Sequence, residues 1–89
     1  MQNEHDITHL ELDAVVNGKS WRVQSWAQVS KAYRTTIETL GLGASQTPPC
    51  LIVAPEGRVV AHLSYNGRVW GGAPERWQPD CLPIYDPSH

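Results

Sequence analysis

Residues 25–43 read SWAQVSKAYRTTIETLGLG and are the one long helix signal in the chain. Large apolar side chains recur there at steps of three and four residues, which at about 100° per residue aligns them in one stripe. The stripe consists of Trp26, Val29, Tyr33, Ile37 and Leu40. Ser25 can cap the helix, with Gln28 three residues on, and Gly41 suits the left-handed residue after the last turn. The stretch predicts an amphipathic helix at the centre of the core.

Upstream, residues 10–24 alternate between apolar and polar side chains around Asn17-Gly18. This dipeptide favours a type I′ turn, because both central residues of that turn adopt positive φ. A two-residue turn places Val16 opposite Lys19 and Asp13 opposite Arg22, so that acid meets base on the outer face. The inner face of the predicted hairpin consists of Leu12, Ala14, Val16, Trp21 and Val23.

Downstream, strands are predicted over residues 50–54, 58–65 and 68–70, joined by Pro55-Glu56-Gly57 and by Asn66-Gly67, a second type I′ signal. In regular registers, the face directed to the helix holds Leu51, Val53, Val59, Ala61, Leu63 and Trp70. The opposite face holds Ile52, Val60, His62, Ser64 and Val69. Most of this second set is apolar, so we expect the tail or another molecule to cover it.

The predicted element order is ββ-α-βββ, which indicates an α+β fold with one helix packed on an antiparallel sheet of up to five strands. A chain of 89 residues forms a single domain. We expect a flexible N-terminal segment over residues 1–9, the domain over residues 10–72, and a Pro-rich tail strapped to it over residues 73–89. Four prolines keep this tail out of regular sheet pairing.

Charge is distributed unevenly along the chain. Residues 1–13 carry a net charge of −4 and residues 78–89 a net charge of −2, whereas residues 14–77 hold all seven Lys and Arg against three Glu, a net +4. The N-terminus lacks a basic region followed by an apolar run, and every apolar run is too short to span a membrane. A cytoplasmic protein without membrane contact is therefore expected.

Candidate catalytic and metal-binding residues are few. Cys50 and His62 could act as nucleophile and base, but a buried thiol and a core or interface histidine are the commoner roles. His5 and His9 have the spacing of a zinc-binding helix and lack a third ligand nearby. Two cysteines are too few for a disulfide framework, and the sequence does not decide whether Cys50 and Cys81 form a single disulfide. The sequence predicts a protein that is not an enzyme and needs no cofactor, metal or small-molecule substrate.

Two binding surfaces are predicted instead. The apolar second sheet face and the tail favour contact with a protein partner or a second copy, through Ile52, Val60, His62, Val69, Arg68, Arg76 and Trp77. The alternative is DNA or RNA binding, because basic side chains beside aromatic ones can contact phosphates while the rings stack on bases. The basic residues of that alternative are Arg22, Lys31, Arg34, Arg58, Arg68 and Arg76.

The segments SWAQVSKAYR, GLGAS and SYNGRVW, with the WQP…PIYDP tail, resemble uncharacterised small proteins carried by bacterial phages and plasmids. The resemblance covers most of residues 20–86. It implies no particular activity, but it places the protein in the accessory or defence-related repertoire of a mobile element. With the predicted surfaces, it indicates a small non-catalytic accessory or inhibitor protein that acts by protein–protein contact.

Overall fold

The computed structural model describes residues 6–41, 43 and 46–87, and within them the chain forms one α-helix and a five-stranded antiparallel sheet. The strands are β1 (Asp13–Val16), β2 (Lys19–Arg22), β3 (Cys50–Val53), β4 (Val59–Leu63) and β5 (Val69–Gly71), and the helix is α1 (Trp26–Leu40). The strands lie side by side in the order β2-β1-β3-β4-β5. The predicted α+β fold is confirmed. In this described part, no helix is long and apolar enough to cross a membrane.

The first hairpin has the predicted register. Asp13 lies opposite Arg22, and the Arg22 Nε donates to the Asp13 Oδ1 at 2.9 Å. Asn17 and Gly18 both adopt positive φ, 51° and 81°, as a type I′ turn requires. On the inner face, Leu12, Ala14, Val16 and Val23 are buried and Trp21 is half-buried.

The segment before β1 folds back against this hairpin. Ile7 packs against the core, and its backbone N–H donates to the Gln24 carbonyl at 2.8 Å. Thr8–Leu10 forms a 3-10 turn that ends at Glu11 with a left-handed φ of 55°. The predicted flexible segment over residues 1–9 therefore includes a turn in its described part, and residues 1–5 lie outside the described residues.

Helix α1 begins and ends as its sequence predicts. The Ser25 Oγ accepts the Gln28 backbone N–H at 3.1 Å, and Gly41 is left-handed, with its N–H directed to the carbonyls of Ile37 and Glu38. The buried residues of the helix are Val29, Ser30, Tyr33 and Ile37. Leu40, predicted for the core, is 43% exposed, because it lies in the last turn, beyond the last buried residue of the helix.

The β4–β5 loop corrects the prediction of a second type I′ turn. Ser64 N–H donates to the Arg68 carbonyl, and Gly67 N–H donates to the Ser64 carbonyl, so three residues rather than two form the loop. Gly67 has φ 89°, whereas Asn66 is not left-handed. The additional loop residue shifts the β5 register by one, which exchanges the faces of that strand. Val69 therefore lies beneath α1 and Trp70 lies on the opposite face.

A bulge in β4, where Val60 has no partner on β3, has the same effect on β3. Val53 lies opposite Val59, as a regular register requires, but Ile52 lies opposite Ala61 because the register shifts between Ile52 and Val53. Cys50 and Ile52 are consequently fully buried beneath α1. Leu51 and Val53, predicted to face the helix, lie on the other side of the sheet.

The tail binds the outer edge of β5. The Val69 N–H donates to the Tyr85 carbonyl at 2.9 Å, and the Ile84 N–H donates to the Val69 carbonyl at 2.7 Å. The Arg68 Nε donates to the Asp86 Oδ2 at 3.2 Å beside this bridge. Pro74–Arg76 forms a 3-10 turn after β5. The bridge satisfies backbone groups that an edge strand would otherwise present to other chains.

Replacing Ile37 with Ala should lower the free energy of unfolding by about 2–5 kcal/mol, because the truncation leaves a cavity in the core. Leu40→Ala is the matched control, with an expected loss well under about 1 kcal/mol from its exposed site. Urea unfolding followed by circular dichroism measures both changes. Equal losses in the two variants would contradict the position of α1 over the sheet.

Gly67→Ala should destabilise the protein more than Gly57→Ala does. Both glycines have left-handed φ, 89° and 95°, at which alanine is strained by about 1–2 kcal/mol. A Cβ on Gly67 would also lie 2.7 Å from Ser30 Oγ and 2.8 Å from Arg34 Cδ, whereas one on Gly57 meets no atom within 4 Å. We expect an additional loss of about 1–3 kcal/mol at Gly67, read from the same unfolding curves.

Candidate protein-binding face

The sheet surface on the side away from α1 is here termed the open face. Strand registers place one residue from each strand in a single cross-strand row, Ser20, Val15, Leu51, His62 and Trp70. Val15 and Leu51 at the middle of the row, and Val53 beside them, are half-buried, whereas their neighbours on the α1 side are fully buried. The open face therefore presents aliphatic side chains at its centre.

At the β5 end of this row, the open face holds a concave site of about 420 Å³, here termed the tryptophan depression. Its lining residues are His62, Ser64, Asn66, Arg68, Trp70, Pro74 and Trp77. The rings of Trp70 and Trp77 meet edge to face, with centroids 5.6 Å apart and planes at 87°. Trp77 is 43% exposed where it lines the depression.

Polar atoms around the depression are bonded within the protein. His62 Nδ1 donates to the Gly72 carbonyl at 2.8 Å, since a carbonyl oxygen can only accept. Trp70 Nε1 donates to Ser64 Oγ at 3.1 Å, and that hydroxyl donates to Asn66 Oδ1 at 2.6 Å. These bonds fix the imidazole and the Trp70 indole in place, so a ligand meets preformed, largely apolar walls.

Charged side chains lie at the two ends of the open face, where carboxylates neutralise them. Arg22 and Asp13 form an ion pair of 2.9 Å at the β2 end, with both side chains about half exposed. Arg68 and Asp86 form one of 3.2 Å at the β5 end. The centre of the face carries no unpaired charge among the described side chains, as is common at the core of a protein interface.

The structure brings together part of the predicted partner interface. His62, Arg68 and Trp77 converge in the tryptophan depression, and Arg76 is exposed beside Trp77. Val60 is half-buried and packs against the core cluster. The assignment of Ile52 and Val69 to this face is wrong, because the bulge in β4 and the longer β4–β5 loop place both fully beneath α1.

Sequence reasoning missed Val15, Leu51, Val53 and Trp70 as members of the open face. The signal that could have recovered Trp70 is Asn66-Gly67 itself, because three-residue loops also end with a left-handed glycine. When Asn66-Gly67 are the last two residues of a three-residue loop, the register of β5 against β4 shifts by one residue. No comparable local signal marks the bulge next to Ile52.

The basic residues of the nucleic-acid alternative are dispersed. Arg22 and Arg68 stand on opposite sides of a sheet about 19 Å wide, at about 4.8 Å per strand spacing. Lys31 and Arg34 lie on α1, on the other side of the molecule from the open face. Arg58 forms an ion pair with Glu56 at 3.1 Å, as Arg22 and Arg68 do with their carboxylates. The six residues do not form one basic stripe.

The candidate nucleophile and base lie on opposite faces of the sheet. Cys50 is fully buried beneath α1, where burial raises the pKa of its thiol to about 12, while His62 lies on the open face. Cys50 and Cys81 are both free thiols, one buried and one exposed. No group of three or more His, Cys, Asp or Glu side chains within residues 6–41, 43 and 46–87 is arranged to hold a metal ion. Of the predicted His5–His9 pair, His5 lies outside the described residues.

Comparison with known proteins adds no assignment: no family model, curated protein or solved structure matches this chain.

Native protein should contain one rapidly reacting thiol. Cys81 is exposed in the tail, whereas Cys50 has a raised pKa and no solvent access, so little thiolate forms there at mildly alkaline pH. Titration with a chromogenic disulfide reagent should show one fast equivalent and a second on addition of denaturant. Cys81→Ser should abolish the fast phase. A fast phase that persists in this variant would contradict the burial of Cys50.

Proposed function

We propose that this protein is a small non-catalytic module that binds another protein through the open face. The cross-strand row from Val15 and Leu51 to the Trp70–Trp77 pair supports this most directly. Tryptophans dominate the binding energy of many interfaces when they sit in well-packed, desolvated pockets. The tryptophan depression would take an apolar side chain of the partner, and the aliphatic centre would be buried around it.

The distribution of charge favours a protein over nucleic acid as the partner. Nucleic-acid affinity rests on Lys and Arg side chains that neutralise phosphates. At both ends of the open face the arginine is already paired with a carboxylate, and Arg58 is paired as well. Of the remaining cations of the alternative, Lys31 and Arg34 line one groove on α1, whereas Arg76 lies in the tail and does not line that groove.

Nucleic-acid binding is therefore the second candidate. It would use Lys31 and Arg34, which stand one turn apart on α1, with Tyr65, 45% exposed, across the groove beside Arg34. The resemblance to phage and plasmid proteins supports an accessory or inhibitor role for either binding mode. A cytoplasmic location follows from the sequence as an expectation of the same proposal.

Affinity capture from a bacterial lysate, with nuclease present, tests the protein-binding proposal. Leu51→Glu places a charge at the centre of the open face, and Thr35→Glu adds the same charge on the exposed side of α1. A protein that binds the open face should be captured by the wild-type chain and by Thr35→Glu, and lost with Leu51→Glu. Circular dichroism melts must first show that both variants stay folded.

A captured protein that Leu51→Glu retains would contradict the proposal, as would capture that nuclease abolishes. The second outcome would favour the alternative, which fluorescence anisotropy with single-stranded DNA and RNA then checks. Nucleic-acid binding should weaken steeply with salt and be lost in a Lys31→Ala, Arg34→Ala double variant.

A further inference from the structure

The two edges of the sheet differ. The outer edge of β5 is occupied by the tail, through the bonds between Val69 and residues Ile84 and Tyr85. The outer edge of β2 is exposed at Lys19, Ser20 and Arg22. An edge strand with unpaired backbone groups is a template for strand addition by another chain.

The register of the first hairpin fixes which backbone groups point outward from β2. Val23 N–H donates to the Leu12 carbonyl, so residues 12 and 23 form a hydrogen-bonded pair, and such pairs alternate along an antiparallel ladder. Ser20 and Arg22 belong to the intervening pairs, and their N–H and C=O groups therefore point away from β1. Within the described residues, neither makes a backbone hydrogen bond on that side.

Trp21, between these two residues, supplies a second observation. It is half-buried on the α1 side of the edge strand, and its Nε1 is a buried donor without a hydrogen-bond partner among the described residues. Buried donors are nearly always paired in folded proteins. The Nε1 itself is enclosed within the protein, so what the open edge leaves for another chain to cover is the exposed part of the Trp21 indole.

We propose that β2 pairs antiparallel with β2 of a second copy of this chain, around a two-fold axis at Trp21. In that register each Ser20 lies opposite the partner's Arg22, and the outward groups of the two residues exchange both N–H···O bonds. The Trp21 side chains of the two copies meet as a non-hydrogen-bonded pair, the closer kind of cross-strand contact. The proposal concerns a different surface from the open face and does not depend on its function.

This register is compatible with the charges of the other residues along the β2 edge. No like charges stand directly opposite one another, because Arg22 faces a serine and remains paired with Asp13, and Lys19 faces the partner's Val23. The pairing between the two β2 strands also ends at Arg22, the last residue of the free edge. The next outward carbonyl, that of Gln24, already accepts the Ile7 N–H at 2.8 Å.

Sedimentation equilibrium over a wide concentration range tests the dimer. The wild-type chain should reach twice its 9.9 kDa mass, and Ser20→Ala, which retains the outward N–H, should match it. Ser20→Pro removes that N–H from an edge position where proline is tolerated, since it makes no bond to β1. Its dimer dissociation constant should rise by about tenfold or more, with the circular dichroism spectrum unchanged.

Disulfide trapping tests the register and does not rely on the proline variant. In a Cys81→Ser background, Trp21→Cys should form a covalent dimer on mild oxidation, because the two Cα atoms would lie within disulfide range. Lys19→Cys is the control and should stay monomeric, since its counterpart lies several residues away along the partner strand. A wild-type chain that is monomeric at every concentration, or trapping as efficient at Lys19 as at Trp21, would overturn the proposal. Loss of the dimer with Leu51→Glu but not with Ser20→Pro would overturn it too, placing the second copy on the open face.

Discussion

The register of β3, β4 and β5 decides which side chains α1 covers, and the rest of the structure depends on it. Side chains alternate between faces, so a shift of one residue exchanges the two sets completely. The bulge between Ile52 and Val53 and the three-residue loop closed by Gly67 each introduce one such shift. Ile52 and Val69 enter the core as a result, and the open face acquires its aliphatic centre and Trp70.

The protein presents two surfaces with different chemistry. The open face has an apolar centre with an ion pair at each end, and the Trp70–Trp77 pair lies at the β5 end. The β2 edge offers backbone hydrogen bonds and one indole. Because the tail occupies the β5 edge, strand addition at β2 would stop at two copies instead of propagating into a fibre. Such a dimer would align two open faces in one continuous sheet.

The candidate site was predictable only in part. His62 lies on the face where the sequence placed it, because the β4 residues after the bulge keep the expected alternation, and Arg68 and Trp77 line the depression beside it. Leu51 and Trp70 were placed on the wrong face, because regular pairing does not reveal the bulge in β4 opposite Leu51 or the third residue of the loop before Trp70. The chemistry of the surface was thus anticipated, an apolar face beside a tail, while its actual members were not.

Local signals determined most of the architecture from the sequence alone. The spacing of Val29, Tyr33 and Ile37 specifies one buried helix stripe, and Asn17-Gly18 specifies a two-residue turn, because both effects act within a few residues. The second Asn-Gly pair fits two loops equally well, and only tertiary structure chooses between them. The Ser30 hydroxyl on α1 donates to the Gly67 carbonyl at 2.7 Å, across 37 residues of sequence. That contact requires the glycine to pack directly against the helix, a condition that no short stretch of sequence contains.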